Sequence, residues 1–151
     1  MEAPLDTDVA NYDLDSQIGF RLRIALQRHT EIFFSKMDLG LTQPQYATLA
    51  RLYKLGTCSQ NELGRNVGLD SATMVGVVTR LRAQGYITGL KDETDRRRSN
   101  LRLTEKGRVL IEAAIELAIE ANEITLRNLS KGERETLIRL LLKLVQGSDG
   151  P

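Results

Sequence analysis

Apolar residues recur at helical spacing through most of this chain. Ile18, Leu22, Ala25, Ile32 and Phe33 predict a first helix from about Leu14 to Met37. Further helices are predicted near residues 43–55, 59–67, 71–84, 105–128 and 131–146. Their starts carry local signals. Thr42 with Gln45, Ser59 with Glu62, and Ser130 with Glu133 each fit a capping box, in which hydroxyl and third-position side chain satisfy orphan backbone donors. Thr104 before Glu105 is a plain N-cap. Between the fourth and fifth helices the period changes. Tyr86–Leu90 and Asn100–Leu103 alternate apolar and polar around the charged stretch Lys91–Ser99, the pattern of an antiparallel hairpin with a basic tip.

Only Gly68, Leu69 and Asp70 separate the third and fourth helices, which makes the pair a helix-turn-helix candidate. In the fourth helix, Met74, Val77, Val78 and Leu81 repeat at core spacing, and Gly85 supplies a left-handed stop. The opposite face carries Ala72, Val75, Gly76, Thr79 and Arg80, small or polar apart from the arginine. Small side chains let a helix sit deep in a major groove, and the N-terminal donors at Ser71 to Thr73 suit a phosphate or base edge. A glycine inside a helix costs about 1 kcal/mol relative to alanine. Some close neighbour of Gly76 should offset that, either DNA or another helix. Near the C-terminus, seven of the nine residues 137–145 are apolar. One amphipathic face cannot absorb them, so a second copy of the chain is expected to cover the rest; the alternative is a helix central to its own monomer.

Composition narrows the chemistry. A chain of 151 residues, 41% hydrophobic and 27% charged, is of one-domain size and globular character. One cysteine, Cys58, and one histidine, His29, leave neither a disulfide framework nor a multi-cysteine zinc site, so no metal or cofactor is expected. No apolar run reaches the roughly 18–20 residues of a membrane span, and the acidic N-terminus is no secretory signal; cytoplasmic residence is the expectation. No phosphate-cradling glycine loop, nucleophile–base pair or paired apolar carboxylates suggest an enzyme. The net charge is only +1, yet residues 1–15 carry five acids and no base, whereas residues 79–106 hold eight Lys and Arg against four acids. That segment can present an anion-binding face.

The stretches LGRNVGLDSATMVGVVTRLRAQGYI, from Leu63 to Ile87, and DRRRSNLRLTEKG, from Asp95 to Gly107, resemble winged-helix regulators of the multiple-antibiotic-resistance regulator (MarR) family. The family's wing pattern is an Asp, any residue, an Arg, a hydrophobic strand and Leu-Thr, met here by Asp95, Arg97, Leu101, Leu103 and Thr104. The resemblance implies a mainly α fold, a winged helix-turn-helix with six helices and a two-stranded wing, dimerised through its N- and C-terminal helices. It implies this division: a flexible acidic segment 1–13, an N-terminal dimerisation helix 14–40, a DNA-binding domain 41–104, C-terminal dimerisation helices 105–146 and a loose tail 147–151.

The function so implied is a regulator, with repression the usual sign in the family, that binds double-stranded DNA as a homodimer on a pseudo-palindromic operator. Helix 71–84 would enter the major groove with Ser71, Ala72, Thr73, Val75, Gly76 and Thr79 facing bases and Arg80 facing a phosphate or guanine. By the same resemblance Arg97 reaches into the minor groove. Asp95 would brace it, as a carboxylate holds a planar guanidinium, while Arg96 and Arg98 meet phosphates. The plainer reading of Asp95 and Arg97 is a surface ion pair. Many members carry Thr-Arg or Ser-Arg where this chain has Val75-Gly76, so no operator transfers by analogy.

Family regulation usually comes from a small aromatic acid. Arg21, Arg28, His29 and Phe33 on the first helix are the effector candidates, with Arg23 nearby, and control of aromatic or pyridine acid catabolism is the expected setting. A satisfied structural histidine is the plainer reading of His29. Cys58, placed in an interhelical turn with no thiolate-stabilising neighbours in sequence, argues against peroxide sensing. The rival to DNA binding is a winged-helix protein-interaction module.

Overall fold

The computed structural model describes residues 8–91 and 99–146. Asp95, Arg96, Arg97 and Arg98, together with residues 1–7 and the tail 147–151, lie outside the described residues. Two single 3-10 turns, Val9–Asn11 and Leu14–Ser16, precede α1 (Ile18–Lys36) and α2 (Gln43–Leu55). Then come β1 (Thr57–Ser59), α3 (Gln60–Val67), α4 (Ser71–Ala83), β2 (Ile87–Lys91), β3 (Ser99–Leu103), α5 (Glu105–Thr125) and α6 (Lys131–Val145).

Local chemistry sets these boundaries. At α2, Gln45 N–H donates to Thr42 Oγ1 at 3.3 Å and Thr42 N–H to Gln45 Oε1 at 3.1 Å, a complete capping box. Ser130 and Glu133 close the same box at α6, at 3.2 and 2.7 Å. The expected box at Ser59 is only half made: Glu62 N–H reaches Ser59 Oγ at 3.3 Å, while the Glu62 carboxylate faces the Cys58 thiol at 3.7 Å instead. The first helix starts four residues later than expected, because Asp13 caps a separate turn by accepting from Asp15 N–H at 3.2 Å. Likewise α5 ends at Thr125 rather than 128.

The wing holds one strand more than expected. β1 pairs with β3, which pairs with β2, all antiparallel, in the order β1-β3-β2. Cys58 therefore lies on a strand opposite Leu101, buried, and not in a turn.

The described residues divide into two compact units, one of residues 8–32 with 120–146 and the other of residues 33–119. In the second, Leu49, Leu52, Leu63, Met74, Leu81, Leu101 and Ile111 are fully buried. Each such side chain contributes about 1.5–3 kcal/mol relative to exposure, and together they hold α3, α4 and the sheet as one body. In the first unit, Arg134 locks the turn before α6: its guanidinium donates to the carbonyls of Leu126 and Leu129 at 3.2 and 3.1 Å and meets Glu123 at 2.9 Å. No residue of α6 is buried.

Candidate nucleic-acid interface

The turn between α3 and α4 is set by glycine geometry. Gly68 adopts φ 71°, the left-handed conformation that closes a helix, and its N–H returns to the Gly64 carbonyl. A Cβ on Gly64 would sit 3.3 Å from the Leu69 carbonyl oxygen, so the exit of the turn lies directly against α3.

Asp70 starts α4. Its carboxylate accepts from Thr73 N–H at 2.8 Å and from the Thr73 hydroxyl at 2.9 Å. These bonds hold the Asp70 carboxyl below its ordinary range. Two of the donors expected to face an anion at Ser71 to Thr73 are thus already engaged, by a negative charge at the helix N-terminus.

The two faces of α4 separate as their spacing predicts. Met74, Val78 and Leu81 are buried and Val77 is half-buried. Ser71, Ala72, Thr73, Val75, Gly76, Thr79 and Arg80 are all exposed. Nothing among the described residues lies within 4 Å of a Cβ placed on Gly76, so none of the described helices closes on it there. The Thr79 hydroxyl donates back to the Val75 carbonyl at 2.7 Å.

The far end of α4 is fastened to the wing and to α5. Gly85 turns the chain at φ 81°, and Tyr86 N–H reaches back to the Leu81 carbonyl at 3.0 Å. Thr104 Oγ1 donates to the Gly85 carbonyl at 2.6 Å and accepts from Gly107 N–H at 3.0 Å, capping α5. Lys106 lies 4.8 Å from the centroid of the Tyr86 ring. The β2–β3 register sets Thr88 opposite Arg102 and Lys91 opposite Ser99. Asp95, Arg96, Arg97 and Arg98, between β2 and β3 in sequence, are outside the described residues.

Two arginines not singled out from sequence also belong to this body. Arg65, in the last turn of α3, lines a hollow of about 370 Å³ with Gln60, Asn61 and Ser71. Arg82 lies over β2, its Nη2 3.3 Å from where a Gly89 Cβ would stand. Their positions follow from the α3–α4 and α4–β2 packing, which spacing within a single helix does not reveal.

The effector candidates all lie on α1. Arg28 is exposed. Arg21 donates to the Asp15 backbone carbonyl and lies 4.0 Å from the Asp15 carboxylate. Half-buried His29 places Nδ1 2.8 Å from Thr125 Oγ1, and that hydroxyl donates to the Ala121 carbonyl at 2.9 Å. Because Thr125 has one proton to give, His29 Nδ1 is the donor of this pair. Phe33 is a core residue at 3% exposure, its ring centroid 5.7 Å from that of Tyr46.

A short helix pair with a tight glycine turn, an outward second helix and a following antiparallel hairpin defines a winged helix-turn-helix. The MarR family model matches residues 41–99. The repressor NicR of Pseudomonas putida is 38% identical over 148 residues, covering 97% of this chain and 92% of NicR. A probable transcriptional regulator from Pseudomonas aeruginosa superposes with a TM-score of 0.85 at 44% identity, over 88% of this chain and 100% of that one. BpsR of Bordetella bronchiseptica, whose DNA binding is regulated by 6-hydroxynicotinic acid, gives a TM-score of 0.85 at 33% identity over 93% and 99% of the two chains. The chain belongs to the MarR family. It is a DNA-binding transcription regulator and not an enzyme.

Proposed function

We propose that this chain is a ligand-responsive repressor, resident in the cytoplasm, that binds a pseudo-palindromic operator as a homodimer and is released by a small aromatic or pyridine carboxylic acid. The observation that carries the reading is the outward face of α4, exposed from Ser71 to Arg80 while its inner face is sealed in the core. The length-wide similarity to NicR supports repression, and the similarity to BpsR supports an effector of the 6-hydroxynicotinic acid class. In this reading α4 enters the major groove, Arg97 enters the minor groove with Asp95 bracing it, and Arg96 and Arg98 contact phosphates.

A second copy of the chain is the proposed cover for α6. Ile138, Leu142, Leu144 and Val145 are 53%, 58%, 58% and 70% exposed. A helix that leaves so much apolar surface in water is stabilised by covering it, and a two-fold pair would set the two α4 helices about 34–36 Å apart, one turn of DNA. Arg21, Arg28 and His29 on α1 are the proposed effector contacts, with the cations matching the acid; Phe33, expected as the aromatic contact, is instead sealed in the core against Tyr46.

Fluorescence anisotropy on the duplex upstream of this chain's own gene, in about 50–100 mM salt, tests the proposal. Tight binding is expected, weakened at least tenfold by Arg97→Ala and reversed by 6-hydroxynicotinic acid or a close analogue. Affinity unchanged by Arg97→Ala would favour a protein-interaction module.

A further inference from the structure

We infer that α4 reads its half-site chiefly through thymine methyl groups, with Val75 at the centre of the contact. The inference rests on the proposed entry of α4 into the major groove and specifies what that site recognises.

Base recognition in the major groove uses either hydrogen bonds to base edges or apolar contact with the thymine 5-methyl group. The outer face of α4 is poorly equipped for the first. Ala72, Val75, Gly76 and Thr79 fall at i, i+3, i+4 and i+7, so they share one face of the helix. Three of them have no polar side-chain atom. The fourth, Thr79, gives its hydroxyl proton to the Val75 carbonyl at 2.7 Å, which leaves it only an acceptor for a base edge. At the N-terminal end, Thr73 gives its hydroxyl proton to Asp70 at 2.9 Å. Asn and Gln, the usual bidentate partners of adenine, are absent from Ser71–Ala83.

For the second mode the face is well built. Val75 is 50% exposed, with its branched side chain outward, on a helix whose Met74, Val78 and Leu81 are buried and whose Val77 is half-buried. Gly76 beside it has nothing within 4 Å of a Cβ position, which lowers the helix surface and lets the backbone approach the base pairs. Arg80, one turn beyond Gly76, meets no carboxylate among the described residues and adds a phosphate or guanine contact at the edge of this patch. The result is an apolar reader flanked by one cation.

The test uses duplexes selected by the full-length protein from a randomised pool, then remade with deoxyuridine in place of each thymine. That exchange deletes the 5-methyl group and keeps every hydrogen-bonding atom. At one or two thymines per half-site, changing both symmetry-related copies should weaken binding about tenfold, because each buried methyl contributes a few-fold. Deoxyuridine elsewhere should have no effect. With Val75→Ala the thymine and uracil duplexes should bind almost equally. If selected duplexes bind tightly but no uracil substitution changes affinity more than twofold, methyl readout is wrong and groove entry by α4 stands. If no duplex is retained above the nonspecific background, the DNA-reading assignment fails, and this inference with it.

Discussion

Lys106 Nζ donates to the Gln84 carbonyl at 2.8 Å, joining the first turn of α5 to the last turn of α4. The ammonium lies where a helix leaves its carbonyls unpaired and its dipole negative, so hydrogen bond and dipole act together. Replacing it with methionine keeps the apolar stem over Tyr86 and deletes the charge. Lys106→Met should lower stability by about 0.5–1 kcal/mol and speed amide exchange at residues 84–86, with Lys106→Arg restoring most of both. Urea unfolding and hydrogen exchange measure the two effects, and unchanged exchange at those amides would contradict the link.

Two glycines should respond oppositely to alanine. A Cβ on Gly107 would lie 2.0 Å from the Tyr86 carbonyl oxygen, a backbone atom that cannot move alone. Gly107→Ala should therefore cost about 3 kcal/mol or more in denaturant unfolding. Gly76 faces open space, so Gly76→Ala should raise stability by about 1 kcal/mol while weakening DNA binding. A destabilised Gly76→Ala protein would mean that the α4 outer face is covered within the fold.

The Asp70 cap predicts a pH dependence with a definite sign. Its carboxyl is held down by the N–H and hydroxyl of Thr73, so its folded value lies below the unfolded one. The stabilisation is fully present above the ordinary carboxylate range and is lost as pH falls through the lowered folded value. Stability differences between wild type and Asp70→Ala should thus be constant from pH 7 to about pH 5 and shrink below about pH 4. Asp70→Asn, still a good N-cap, should keep the helix start and tighten DNA binding by removing a negative charge beside the phosphates. Chemical denaturation at several pH values, with anisotropy at pH 7, checks both.

Much of this architecture was legible because the signals were local. Thr42 with Gln45 and Ser130 with Glu133 place two helix starts, and the alternation of Met74, Val78 and Leu81 with Val75 and Thr79 separates the two faces of α4. What escaped depended on partners distant in sequence. Thr57–Ser59 is too short to show a period and is a strand only because β3 pairs with it. The Ser59 box failed for the same reason: Cys58, turned inward on that strand, draws the Glu62 carboxylate toward its thiol. At the site, the exposure of α4 followed from spacing, whereas the positions of Arg65 and Arg82 depend on packing between elements.

Cys58 should be a poor nucleophile. Burial, then the neighbouring Glu62 carboxylate, push its thiol pKa up, against a smaller opposing effect of Arg65. The thiol stays protonated at neutral pH, and the stability it lends is lost only as pH rises past the ordinary thiol range. Iodoacetamide labelling of the native protein at pH 8 should be at least about tenfold slower than in denaturant, and peroxide should leave DNA binding unchanged. Rapid native labelling would show an activated thiol.

The outer face of α4 is where a direct test falls. Thr79 is exposed, so Thr79→Glu plants a carboxylate there without disturbing the core. Equilibrium binding to the upstream duplex, with melting temperature measured alongside, should show affinity reduced about a hundredfold or more and melting moved by less than about 3 °C. Undiminished affinity in a folded Thr79→Glu protein would mean that α4 does not meet DNA.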